Sequence, residues 1–221
     1  MQIVFVRHGQ STANAEGRWQ GQLDYELSEE GRKQSELLRD RFLSEAFLPN
    51  FVYSSPLIRA LETAEIALPD ANLIQIDDLK EGGAGIFEGK NMDEIHAEYP
   101  EIALEFQRTK NFNSVPGAES RYDFRKRAEK VVDFLVKGHD KNEKIAVFTH
   151  SGFLMFIVAV IIGTNRIWTL RIPNTSIFDF RIDPGSWDMK NSFINTGTSS
   201  LQQFGSFEIR RFADAIHLAD N

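Results

Sequence analysis

Apolar positions along this chain follow two alternating rhythms. Short runs rich in apolar and β-branched residues, at 3–6, 51–56, 73–76, 144–149 and 177–182, have the length of buried strands. Between them lie longer stretches with apolar residues every three or four positions. Ser28 is a good helix cap, with Glu29 and Glu30 suited to the positive end of the helix that follows. Leu37, Leu38, Phe42 and Leu43 give that helix its apolar spacing. A second helix is predicted from about 57 to 67, with Pro56 just before it. A third is predicted over 120–136, with Phe124, Ala128, Val131, Val132 and Leu135 on one face. A fourth, over 153–162, is apolar all round, as a buried helix is.

The polar stretches divide these elements. Residues 11–24 read as a loop with room for a short helical turn, and 77–89 as a glycine-rich loop carrying carboxylates. Residues 90–117 read as a helical excursion, broken by Pro100, that suits a lid. Residues 207–212 read as a charged last strand at a sheet edge. Strands alternating with helices imply an α/β fold, a three-layer α/β/α sandwich on a mainly parallel sheet with the lid insertion at about 90–117. No linker or repeat interrupts the pattern, so residues 1–221 are expected to be one domain.

Composition narrows the chemistry. A formal charge of −7 argues against a general nucleic-acid binder, though a local cationic cluster can still serve an anionic ligand. The absence of Cys excludes disulfides, thiolate catalysis and cysteine-ligated zinc. The apolar run 153–162 is too short to span a bilayer. Met1 leads straight into a strand with no leader pattern, so the expectation is a cytoplasmic protein that does not engage a membrane. The segment 183–205 is longer than a simple turn needs; it reads equally as an extended hairpin or as part of a homodimer interface.

The strand ends carry the candidate chemistry. The first strand runs into Arg7-His8-Gly9, and the fourth into His150-Ser151-Gly152 at the start of a helix. Arg59 sits near the start of the second helix, and Glu81 and Glu88 lie in the glycine-rich loop. Ligands of α/β folds gather at the carboxyl ends of the strands. If these ends share one side, two imidazoles, two guanidiniums and a carboxylate face one pocket. Such a pocket suits phosphoryl transfer: guanidiniums stabilise the equatorial oxygens, a His attacks phosphorus, and a carboxyl group protonates the leaving oxygen. The helix N-terminus at Ser151 offers further N–H groups to the same anion. A lone strand-end His is often structural; two in matching contexts, with Arg59, favour an active site. Trp19 reads equally as pocket lining or core cover. His96, His139 and His217 read as surface or structural, and Glu88 as a loop support.

In order along the chain, Arg7-His8-Gly9 with Asn14, Gln20-Gly21, Leu27-Ser28, the run from Ser54 through Arg59 to Ala64, Leu79-Lys80-Glu81 with Gly85 to Gly89, Pro116-Gly117 with Glu119-Ser120, Thr149-His150-Ser151-Gly152, and Pro173-Asn174 resemble the motifs of the histidine phosphatase superfamily, the phosphoglycerate mutase-like fold. Residues 207–218 resemble that family's terminal strand with its closing His-Leu. The resemblance implies that His8 is the nucleophile and forms a phosphohistidine. It implies that Arg7, Arg59 and His150 hold the phosphoryl group with Asn14, that Gln20, Gly21 and Ser151 contribute to substrate or phosphate binding, and that Glu81 is the general acid and base. No metal or other cofactor is implied.

Gln10, Phe87 and Ser151 depart from common family residues (Glu, Trp and Gly) without removing a catalytic group. The mutase branch resembles longer chains with basic residues around the acid loop; here residues 82–87 are small or apolar. The expected reaction is hydrolysis of a phosphomonoester on a small phosphorylated metabolite. Mutase-type phosphoryl transfer and a non-catalytic phosphate-binding module are the alternatives.

Overall fold

The computed structural model describes residues 1–166, 170–187 and 207–219. Six strands form one sheet, β1 (Gln2–Arg7), β2 (Phe51–Ser54), β3 (Leu73–Gln75), β4 (Lys144–Thr149), β5 (Ile177–Ile182) and β6 (Phe207–Asp214), in the order β3-β2-β4-β1-β5-β6. The first four in that order are parallel, while β5 and β6 run antiparallel to their neighbours. The sheet is therefore mainly parallel, with an antiparallel flank.

Alternation along the strands creates two apolar faces. Ile3, Phe5, Tyr53, Ile145, Val147, Phe178 and Phe180 pack with α6 (Arg121–Lys137) and α7 (Ser151–Ile162). Val4, Val6, Val52, Ala146, Phe148 and Ile177 pack with α2 (Glu29–Ser44) and α3 (Ile58–Ala67). These faces give the three expected layers. The buried residues of α2 include Gly31, Gln34, Ser35, Leu38 and Phe42, whereas Leu43 is 69% exposed. Of the predicted stripe, Leu38 and Phe42 are core and Leu43 is not; the stripe continues toward the helix start through small and polar residues, where a Cβ at Gly31 would collide with the Gln10 backbone.

A short helix, α1 (Thr12–Ala15), lies in the first loop. The lid consists of α4 (Met92–Glu98) and α5 (Pro100–Thr109), with Pro100 opening the second helix as much as ending the first. Phe87, Ile95, Ala103, Phe106 and Val115 form the lid's own small core, and Trp19 packs onto it. Residues 188–206 lie outside the described residues, and with them most of the stretch read as a hairpin or dimer interface. Among the described residues, no helix is long and apolar enough to cross a membrane.

Parallel register aligns the strand ends. Arg7 pairs with Thr149, and Ser54 with Phe148. The ladder continues one step beyond, from His8 N–H to the Thr149 carbonyl and from Ser55 N–H to the Phe148 carbonyl, each 2.9 Å. His8, Ser55 and His150 thus emerge side by side.

Candidate active site

The His8 and His150 rings lie 5.1 Å apart between centroids, tilted by 56°. Both are buried, His8 at 2% exposure and His150 at 0%. His8 Nδ1 sits 2.6 Å from the Gly9 carbonyl. A carbonyl only accepts, so Nδ1 carries the proton and Nε2 keeps its lone pair. Burial, followed by the charges of Arg59 and Arg7, holds the His8 pKa well below the usual imidazole value. His150 is depressed in the same way, by burial first and then by Arg59, His8, Arg7 and Arg127. Two neutral imidazoles therefore face the pocket at neutral pH. His150 Nε2 is 2.8 Å from Ser55 Oγ; that oxygen accepts from Leu57 N–H at 3.3 Å and can give its own proton to Nε2, which leaves the ring proton on Nδ1.

Arg59 is fully buried. Its Nη1 donates to the Leu23 carbonyl and its Nη2 to the Gly21 carbonyl, each at 2.9 Å. Gly21 has φ +50, a conformation that glycine adopts freely, and a Cβ there would strike the Glu88 carboxylate. Arg7 donates through Nη1 to the Ile172 carbonyl. Burial lowers the pKa of each guanidinium to about 10, against an opposing pull from Glu81. Among the described residues, Arg7 Nε, Arg59 Nε and His150 Nδ1 are buried and find no hydrogen-bond partner. Buried polar atoms are nearly always satisfied, and unpartnered donors in a cluster of fixed cations are chemically suited to an anion.

Glu81 corrects one sequence expectation. Its Oε2 accepts from Gly152 N–H at 2.9 Å, and its Oε1 from Phe153 N–H at 3.1 Å and Gly82 N–H at 3.0 Å. The first turn of α7 therefore holds the carboxylate, so these two N–H groups do not serve the phosphate as the sequence suggested. The backbone of Glu81 is tethered as well. Arg127 donates to the carbonyls of Asp78, Lys80 and Glu81 and forms a two-pronged pair with Glu119, its shortest distance being 2.7 Å. Its guanidinium lies over the rings of both Phe124 and Phe153. Glu88 Oε1 accepts from Gln22 N–H and Ala84 N–H, stapling the first loop to the acid loop.

The remaining sequence candidates fall into two groups. Asn14 Oδ1 accepts from Asn174 Nδ2 at 3.3 Å, and Asn174 Nδ2 also reaches the His8 carbonyl at 3.0 Å, so Asn14 is tied to the His8 backbone. Gln20 and Gly21 act on other protein groups: Gln20 Oε1 accepts from Ser11 Oγ at 2.7 Å, and Gly21 offers its carbonyl to Arg59. Ser151 opens α7 directly after His150. Trp19 meets Phe106 and Phe112 edge-on and directs Nε1 at Met92 Sδ, as part of the lid core. His139 bonds Tyr53 OH and the Leu135 carbonyl away from the pocket.

Sequence reasoning passed over Ser55, Thr63, Arg127 and Asn174 as individual contributors. Thr63 Oγ1 accepts from Gly9 N–H at 2.9 Å and donates to the Arg59 carbonyl at 2.6 Å, linking the two cationic segments. Its place one turn after Arg59 on α3 was the available signal. Arg127, on a charged helix face, gave none.

Comparison with known proteins accords with this geometry. The sequence profile of the histidine phosphatase superfamily (branch 1) matches residues 3–195. The chain is 36% identical over 160 residues to a metal-independent phosphoserine phosphatase from Arabidopsis thaliana, covering 71% of this chain and 66% of that relative. It is 32% identical over 195 residues to phosphoglycerate mutase-like protein 4 of the same plant, covering 86% of this chain and 83% of that one. Among solved structures, YhfR of Bacillus stearothermophilus superposes with a TM-score of 0.80 at 27% identity, covering 98% of both chains.

Proposed function

This chain belongs to the histidine phosphatase superfamily, and we propose that it hydrolyses small phosphomonoesters through a phosphohistidine on His8. The observation that carries this reading is the neutral His8 ring, its Nδ1 fixed on Gly9 and its Nε2 lone pair free, beside the unsatisfied donors of Arg7, Arg59 and His150.

In the first half-reaction, His8 Nε2 attacks phosphorus and the P–O bond to the alcohol breaks. Glu81 gives its proton to the departing oxygen. In the second, water attacks the phosphohistidine, Glu81 takes a proton from that water, and the N–P bond breaks to release inorganic phosphate and restore His8. Arg7, Arg59 and His150 bind the equatorial oxygens throughout. Their rigid placement favours charge at those oxygens without reorganisation during the reaction. The fixed guanidiniums supply the charge that a metal supplies in other phosphatases, and the name of the Arabidopsis relative supports that reading. That relative also makes phosphoserine the first substrate to test.

Purified protein should release phosphate from phosphoserine and p-nitrophenyl phosphate with chelator present. A label transferred from substrate should be acid-labile and base-stable, and should be lost in His8→Ala. Turnover that requires added metal would overturn the mechanism. Isomerisation of 3-phosphoglycerate with a bisphosphate primer would replace hydrolysis by mutase chemistry. Inertness across a panel of phosphomonoesters would leave a binding module.

A further inference from the structure

The turn at 172–176, which leads into β5, grips the catalytic end of β1. Arg7 Nη1 donates to the Ile172 carbonyl, and Arg7 N–H to the Ser176 carbonyl at 3.2 Å. The His8 carbonyl accepts from Asn174 Nδ2 at 3.0 Å and from Thr175 N–H at 3.3 Å. Within this turn Thr175 is fully buried at φ +56. A β-branched residue is strained in the left-handed region and stays there only where its surroundings hold it.

The holding contacts come from far along the chain. Thr175 Oγ1 donates to the Asn174 carbonyl at 2.8 Å, which uses its only proton. The same oxygen lies 2.9 Å from His217 Nε2 and therefore accepts from it. His217 stands in the short helical turn Ile216–Leu218 that follows β6. Its other nitrogen, Nδ1, lies 3.1 Å from Arg41 Nη1, a group that can only donate. Both contacts demand the same neutral tautomer, with the proton on Nε2. Arg41 on α2 is itself fixed by Asp214 and Glu45, and Arg211 joins Glu45 at 2.8 Å. Burial, and after it Arg41, lowers the His217 pKa to about 4, with Asp214 and Glu45 opposing.

We propose that His217 is a positioning residue for phosphoryl transfer: through Thr175 it holds the strained turn that fixes Arg7 and the His8 backbone. The inference rests on the roles given to His8 and Arg7 above, and its test separates the two readings. The ring nitrogens of His217, followed by ¹⁵N NMR in the intact protein at pH 7, should show protonation at Nε2 alone. Protonation at Nδ1 would overturn the inference whether or not the protein is active. His217→Ala should lower kcat about tenfold with little change in KM, since a small misplacement of reacting groups costs rate before binding. His217→Gln, which can accept from Arg41 and donate to Thr175, should restore most of that rate. Contacting residues couple, so in a Thr175→Gly background, where the backbone is unstrained, His217→Ala should cost less than about twofold. An equal loss in both backgrounds, accompanied by no rescue from Gln, would mean that His217 only stabilises the fold. A wild type inert toward phosphomonoesters would defeat the phosphatase mechanism, and the tautomer would still decide the clamp.

Discussion

The two halves of the sheet meet the pocket in opposite ways. The parallel strands β1, β2 and β4 arrive with their carboxyl ends and deliver side chains just beyond them: His8, Ser55 and His150. The antiparallel strand β5 arrives with its amino end, preceded by the 172–176 turn, and delivers support: a carbonyl for Arg7 and an amide for the His8 backbone. Under the proposed mechanism, a single sheet thus separates groups placed to contact the phosphoryl group from groups that hold them in place. The division teaches that a strand's direction decides which of the two it supplies, because only the carboxyl ends converge on the ligand side of the parallel ladder.

Substitutions test that division most sharply where the parallel half acts. His8→Ala should lower kcat by at least about 10³-fold, as loss of a nucleophile does, measured with phosphoserine and corrected for trace wild type. Glu81→Gln should cost about 10²- to 10⁴-fold on phosphoserine, the usual range for a general acid. Its effect on p-nitrophenyl phosphate should be much smaller, because that leaving group departs without a proton; equal losses on both substrates would remove Glu81 from the acid role. Arg59→Lys should reduce kcat/KM about 10²-fold, since an ammonium cannot bond the Gly21 and Leu23 carbonyls and still present a fork to phosphate. Asn174→Ala, on the antiparallel side, should cost only about three- to tenfold in kcat. A loss comparable to that of His8→Ala would break the division between contact and support.

The smallest effect expected is on stability against pH. His8, His150 and His217 are each held neutral in the fold, with pKa values below 6.5. Below that value the unfolded chain binds more protons than the folded one, so stability falls as pH falls. The His217 contribution is confined between 6.5 and about 4. Urea midpoints should therefore decline across this window, and His217→Gln should flatten part of that decline. A midpoint that rises on acidification would reverse the sign and contradict the burial of the imidazoles.

The fold and the candidate catalytic ends were legible in the sequence because both are local signals. An apolar run that stops at Arg7-His8-Gly9 announces its own strand end, and the N-cap Ser28 announces a helix. What escaped is contact between distant segments. The orientation of Arg59 depends on carbonyls of the first loop, and that of Glu81 on the start of α7 and on Arg127. No local pattern states that the acid loop lies across a helix terminus, so the first turn of α7 was assigned to the phosphate. The same limit applies to Leu43: periodicity identifies the apolar stripe of α2 without marking which of its members solvent reaches, and Leu38 and Phe42 are buried while Leu43 is not. Arg127 sits among charged neighbours on α6 and looks like any solvated cation until its contacts with the rings of Phe124 and Phe153 are seen.

The seat of Glu81 on the first turn of α7 has a bearing on engineering. That helix is the most apolar among the described residues and packs against α6 through Phe124, Phe153 and Phe156. Its axis is thus also the mounting rail of the proposed proton donor. A designer who repacks this core for heat resistance, touching no residue of the pocket, would shift the acid with every fraction of an ångström the helix moves. Thermostabilising libraries at those phenylalanines should for that reason be screened on leaving groups of different basicity, where a displaced donor reveals itself first.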